Sequence, residues 1–78
     1  MKIRQIKAFL AVVHTGSVRA AAARLSLTQS TVAKAISGLE ADLGAELFDR
    51  GSNGLRLNRA GLELLPYAET IEIGRAHV

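Results

Sequence analysis

Apolar residues recur at the start of the chain as Ile3, Ile6, Phe9, Leu10 and Val13, with Arg4, Lys7 and His14 off that stripe. The spacing predicts an amphipathic helix over residues 3–14. Gly16 stands where a left-handed C-terminal cap is needed, and Ser17 follows as a hydroxyl cap for a second helix. That helix, 18–25, should bury Val18, Ala21, Ala22 and Leu25, its alanines allowing a close helix approach. Leu25-Ser26-Leu27 makes a turn, and Thr28 caps a third helix that runs to Leu43 and stops at Gly44. Val32, Ile36, Leu39 and Leu43 share one face of this helix, while Gln29, Ser30, Lys34 and Ser37 lie on the other. Gly38 reads as a solvent-facing position, where glycine costs up to ~1 kcal/mol relative to alanine.

Beyond Gly44 the period changes. Two short apolar-containing runs within residues 46–57 flank Gly51-Ser52-Asn53-Gly54, which is a β-hairpin pattern around an Asn-Gly turn. Arg50 and Arg56 lie on its arms. Asn58 then caps a last helix from about Arg59, with Leu62, Leu65, Ala68 and Ile71 or Glu72 along one side and Pro66 set to bend it or leave one hydrogen bond unmade. The expected architecture is mainly α: three helices, a short hairpin, and a further helix over 59–78.

Residues 17–43 form two short helices joined by a tight turn, and the second presents a polar, non-acidic face. This is the pattern of a helix-turn-helix, spanning about 18–37, and such a face fits a DNA major groove. The hairpin attached after it reads as a wing. Charge placement agrees with a polyanionic partner. The net charge is only +3, yet residues 1–39 hold Lys2, Arg4, Lys7, Arg19, Arg24 and Lys34 without one acid. All seven acids come later, against four arginines.

Other chemistries find little footing. The chain has no cysteine, which excludes disulfides, thiolate nucleophiles and cysteine-based zinc sites and fits a reducing, cytoplasmic setting. His14 and His77 are far apart with no third ligand, so no metal or other cofactor is expected. Ser17 and Ser30 have no His–carboxylate pair to activate them, and no Gly-rich phosphate loop follows a strand. An enzyme is not expected. No apolar run approaches the ~18–20 residues of a membrane span, and Met1-Lys2-Ile3 leads straight into a helix with no signal peptide. A winged protein-interaction module would leave the acid-free half unexplained. A membrane-surface helix would need apolar stripes that these helices require for one another.

With these elements in order, the chain closely resembles the DNA-binding domain of LysR-type transcriptional regulators. The resemblance rests on Phe9 and Val13, on Gly16-Ser17-Val18-Arg19-Ala20-Ala21-Ala22, on Leu25, Thr28-Gln29-Ser30 and Val32, and on Ile36 through Gly44. Leu47-Phe48-Asp49-Arg50 and Leu57-Asn58-Arg59-Ala60-Gly61 complete it. It implies a winged helix-turn-helix domain over 1–58 and a linker and dimerisation helix over 59–78. It implies homodimers on double-stranded DNA, tetramers in full-length members, and a small-molecule effector bound by a C-terminal domain missing from this chain. By position, Gln29, Ser30, Thr31 and Lys34 would face bases. Ser17, Arg19, Thr28, Arg50, Ser52, Asn53 and Arg56 would hold the backbone, and Leu62, Leu65 and Ala68 would serve dimerisation. Ser30 stands where relatives often have Pro, Asn58-Arg59 where Thr-Glu or Thr-Pro is usual, and Ala35 where Gln is frequent. Ala35 removes one base contact and leaves Gln29 and Lys34 as the main readers.

The last six residues, Ile73-Gly74-Arg75-Ala76-His77-Val78, fit no heptad or cap, and Gly74 is expected to cut the helix short. One frame of a common short-read sequencing adapter translates to the same hexapeptide followed by a stop codon. On that reading the tail is non-native and the chain a fragment, and the underlying nucleotide sequence decides it.

Overall fold

The computed structural model describes residues 1–51 and 54–76, with side chains described through residue 72. Its elements are α1 (Ile3–Thr15), α2 (Val18–Leu25), α3 (Gln29–Leu43), β1 (Phe48–Gly51), β2 (Gly54–Leu57) and α4 (Arg59–Ala76). Three of the expected caps lie at the junctions of these first helices. Gly16 ends α1 with φ 85°, Ser17 Oγ accepts the Ala20 N–H at 3.0 Å, and Thr28 Oγ1 accepts the Thr31 N–H at 3.1 Å. Each satisfies backbone groups that a helix end leaves open.

α1 is the centre of the domain and packs against α2, α3 and α4. Its burial is therefore wider than one stripe: Ala8, Ala11 and Val12 are buried along with Ile6, Phe9 and Leu10. Val32, Ile36 and Leu39 of α3 and Ala21 and Ala22 of α2 complete this core, joined by Leu47 and Ala68. The Phe9 and Phe48 rings meet at 5.6 Å, tilted by 51°, and so fasten the hairpin to α1. Leu43 departs from its expected place and is 42% exposed. It lies in the last turn of α3.

The hairpin is antiparallel, with Phe48 opposite Leu57, Asp49 opposite Arg56, Arg50 opposite Leu55 and Gly51 opposite Gly54. Two side chains hold its ends. Glu40 Oε2 accepts the Leu47 N–H at 2.7 Å, so the end of α3 fixes where β1 begins. Asn58 donates through Nδ2 to Glu46 O at 2.8 Å and through its backbone N–H to Leu47 O at 3.0 Å. Its Oδ1 accepts the Gly61 N–H at 2.8 Å, the cap expected of it.

Two more expectations are corrected. Gly38 does not face open solvent: a Cβ built there would stand 2.8 Å from Gln5 Nε2, because α1 lies alongside. Gly74 does not stop α4, whose helical backbone continues through it to Ala76. The helix also continues across Pro66, whose missing N–H leaves the Leu62 carbonyl without its usual partner. Among the described residues no helix is long and apolar enough to cross a membrane.

Candidate nucleic-acid interface

The packing of α3 on α1 decides which of its residues remain available. Val32, Ile36 and Leu39 turn inward, leaving Gln29, Ser30, Ala33, Lys34 and Ser37 exposed on the outward face. Thr31 is different. It is half-buried, and its Oγ1 lies 2.7 Å from Thr28 Oγ1, itself 3.3 Å from Ser30 Oγ. The three hydroxyls thus form a small network at the start of the helix, with Gln29 and Lys34 projecting beyond it. Ala33 escaped the sequence reading because an alanine carries no pattern of its own. Only the neighbours Ser30 and Ser37, one turn away on either side, mark its position.

The wing meets the start of α2. Ser17, Val18, Arg50, Gly51, Gly54 and Leu55 line one shallow cleft. Gly54 makes this approach possible, since its φ is +103° and a Cβ there would lie 3.1 Å from Gly16 O. Arg19, exposed in the first turn of α2, adds a cation on that helix. Arg50 shares a hairpin face with Leu55, whereas Arg56 lies on the other face opposite Asp49. The register therefore separates two arginines that the sequence had grouped. Ser52 and Asn53, the expected contacts of the wing tip, lie outside the described residues.

Few of the cations are neutralised. Among the described residues the ion pairs are the Met1 ammonium with Asp42 at 3.7 Å and Arg59 with Glu63 at 3.9 Å. Lys34, Arg19, Arg50 and Arg56 belong to neither. Arg50 thus does not brace Asp49 or Glu46 among the described residues.

The dimerisation expectation needs revision. Ala68 is fully buried against its own chain and has no surface to offer a partner. Leu65 is half-buried and packs on the same core, while Leu62 is 59% exposed. Tyr67, 70% exposed, is a further outward aromatic on α4.

An exposed polar helix held by a helix-turn-helix, beside a basic two-stranded wing, defines the winged helix-turn-helix class of DNA-binding domains. Comparison with known proteins narrows this. A family model described as the bacterial regulatory helix-turn-helix protein, lysR family, matches residues 3–62. The chain belongs to the LysR family. It is 46% identical over 71 residues to an uncharacterized HTH-type transcriptional regulator of Azotobacter vinelandii, an alignment covering 91% of this chain and 49% of that protein. It is 49% identical over 71 residues to the transcriptional regulator HdfR of Yersinia enterocolitica, covering 91% of this chain and 24% of the relative. The chain thus spans about half or less of the length of these relatives. Among solved structures, the DNA-binding domain of CbnR in complex with DNA superposes with a TM-score of 0.88 at 39% identity, covering 99% of this chain and 91% of that one. The BenM DNA-binding domain with catB site 1 DNA gives a TM-score of 0.93 at 30% identity, covering 99% and 86%. Family and fold are those of DNA-binding regulators, which is not an enzymatic class.

Proposed function

We propose that this chain is the promoter-reading part of a LysR-type transcription factor and binds duplex DNA sequence-specifically as a homodimer. The observation that carries the reading is the outward face of α3, where Gln29, Ser30 and Lys34 are exposed and no acid intervenes. Inserted in the major groove, Gln29 suits adenine and Lys34 suits guanine, and the exposed Ala33 suits a thymine methyl. Thr28 and Thr31 organise the helix start. Ser17, Arg19 and Arg50 hold a phosphodiester strand, with Ser52, Asn53 and Arg56 as further backbone contacts of the wing. The DNA-bound state of the related CbnR and BenM domains supports this placement. Two chains related by a two-fold axis would set their recognition helices in major grooves roughly 34–36 Å apart. Leu62, with part of Leu65, supplies the contact along α4. In full-length form such a regulator would work in the cytoplasm, assemble further to a tetramer and answer a small-molecule effector through a separate domain.

The decisive experiment is alanine substitution at Gln29 and at Lys34, read over a panel of duplexes. Each should cost ~1–3 kcal/mol on the preferred site and flatten preference at one base pair per half-site. Equal weakening on every sequence would place that residue on phosphate instead. Sedimentation of the saturated complex should give two chains per palindromic duplex, and one chain would contradict the dimer.

A further inference from the structure

α3 has a basic neighbour on each flank, and only one of them is the wing. On the wing side, Ala33 and Ser37 share a cleft with Arg50 and Leu55, which Glu40 and Glu46 also line. On the opposite side, Lys2, Arg4 and Gln5 from the beginning of the chain line a shallow cleft with Thr31, Lys34 and Ala35. This second cleft is organised by Gln5. Gln5 Oε1 accepts the Lys2 N–H at 2.8 Å, and Gln5 Nε2 lies 2.8 Å from the point where a Cβ on Gly38 would stand. The amide of Gln5 therefore rests on the backbone of α3 while ordering the residues before it. Lys2, Arg4 and Lys34 are all exposed, and none is ion-paired with a carboxylate among the described residues. The nearby carboxylate of Asp42 is taken by the Met1 ammonium.

A helix about 10–12 Å across fills a major groove about 12 Å wide, so groups on its two flanks meet the two bordering phosphodiester strands. We propose that the cleft between the start of α1 and α3 is a second phosphate-binding shoulder. Lys2 and Arg4 hold the strand across the groove from the one met by Arg50, and Gln5 is the positioning residue that sets them there. The inference rests on the DNA reading above and adds a subsite to it. Its contribution is to orientation: with both flanks anchored, α3 cannot roll in the groove, and Gln29 and Lys34 are held against the base edges.

The test uses the full chain and a duplex selected by it from a random-sequence pool. Binding is measured over a salt series for the wild type, Lys2→Gln, Arg4→Gln, the double variant and Arg59→Gln. Arg59 is an exposed cation on α4 and serves as the control. Each lost phosphate contact should make the slope of log affinity against log salt shallower by about 0.9 per bound chain, so the double variant should lose about 1.8 per chain and about 3.6 for the dimer. Base preference should stay, and Arg59→Gln should match the wild type. Methylphosphonate linkages placed singly along each strand should weaken the wild type at two positions per half-site where the double variant is indifferent. Thermal melting of each variant confirms that the fold is kept. An unchanged slope in the double variant, with Gln29→Ala still losing base preference, overturns the shoulder and leaves the DNA reading standing. No salt-dependent duplex binding by the wild type overturns both.

Discussion

α1 buries six of its thirteen residues, whereas Gly61 and Ala68 are the buried ones among the described side chains of the longer α4. Leu62 and Tyr67 of α4 stand 59% and 70% exposed, five residues apart and so on different sides of the helix. The body of the domain therefore spends its apolar surface on itself, while α4 attaches through a narrow strip and keeps apolar groups outside. Burial on all but the side of Arg4, Lys7 and His14 makes α1 the element on which the fold depends. A helix attached along one strip depends on what it meets beyond the chain.

The largest effect should come from the centre. Phe9 is fully buried and touches Phe48, so Phe9→Ala should cost about 3–5 kcal/mol in chemical denaturation, a large share of a small domain's stability. Leu62→Ala should move the unfolding of the isolated chain by no more than about 0.5 kcal/mol. On the dimer reading, it should instead weaken association measured by sedimentation. A comparable loss of stability from both would erase the contrast between the two helices.

The attachment strip itself offers a sharper test. By helix propensity alone, Gly61→Ala should stabilise α4 by up to about 1 kcal/mol. In the structure a Cβ at Gly61 would collide with the Leu47 carbonyl oxygen and with Leu57 Cδ2 at 2.5 Å, where β2 turns into α4. Gly61→Ala should therefore destabilise by about 1–3 kcal/mol in thermal or chemical unfolding. Gly38→Ala makes the instructive partner. Its Cβ would meet only the movable end of Gln5, so the propensity gain and the lost packing should roughly offset each other, leaving it within about 0.5 kcal/mol of wild type. A stabilised Gly61→Ala would mean that α4 is free to shift on the body.

A smaller loss is expected at the hinge between wing and α4. Asn58 bonds the Gly61 N–H and the Glu46 carbonyl through one side chain. Asn58→Ala should cost about 1–2 kcal/mol of stability, at the upper part of the range for a helix cap, because it releases a strand end as well. Asn58→Asp keeps the acceptor for the cap and loses the donor to Glu46. It should fall between the two, which separates the cap from the tether.

Much of this was legible in the residues. Caps at Ser17 and Thr28, the stops at Gly16 and Gly44, and the inward run Val32, Ile36 and Leu39 are each decided within one turn of helix, where sequence spacing and spatial spacing coincide. The outward face bearing Gln29, Ser30 and Lys34 follows by complement, and the hairpin follows from its turn residues. A sequence resemblance running from α1 to the first turn of α4 fixed the family.

What the sequence could not decide is which stripe each neighbour covers. Ala68 lies on the same side as Leu62 and Leu65 by spacing, yet docking of α4 on α1 buries it completely and leaves Leu62 outside. Gly61 and Gly38 look alike as helical glycines, and only the backbone of Leu47 and the amide of Gln5 tell them apart. Strand register sends Arg50 and Arg56 to opposite faces, and the approach of α1 to α3 sets Lys2 and Arg4 beside Lys34, some thirty positions away. Local periodicity determined the helices, their caps and the polar face of α3, because hydrogen bonds and side-chain rows repeat within a few residues. Contacts between distant segments determined the rest, because the free energy that selects them is the burial of surfaces no local window contains.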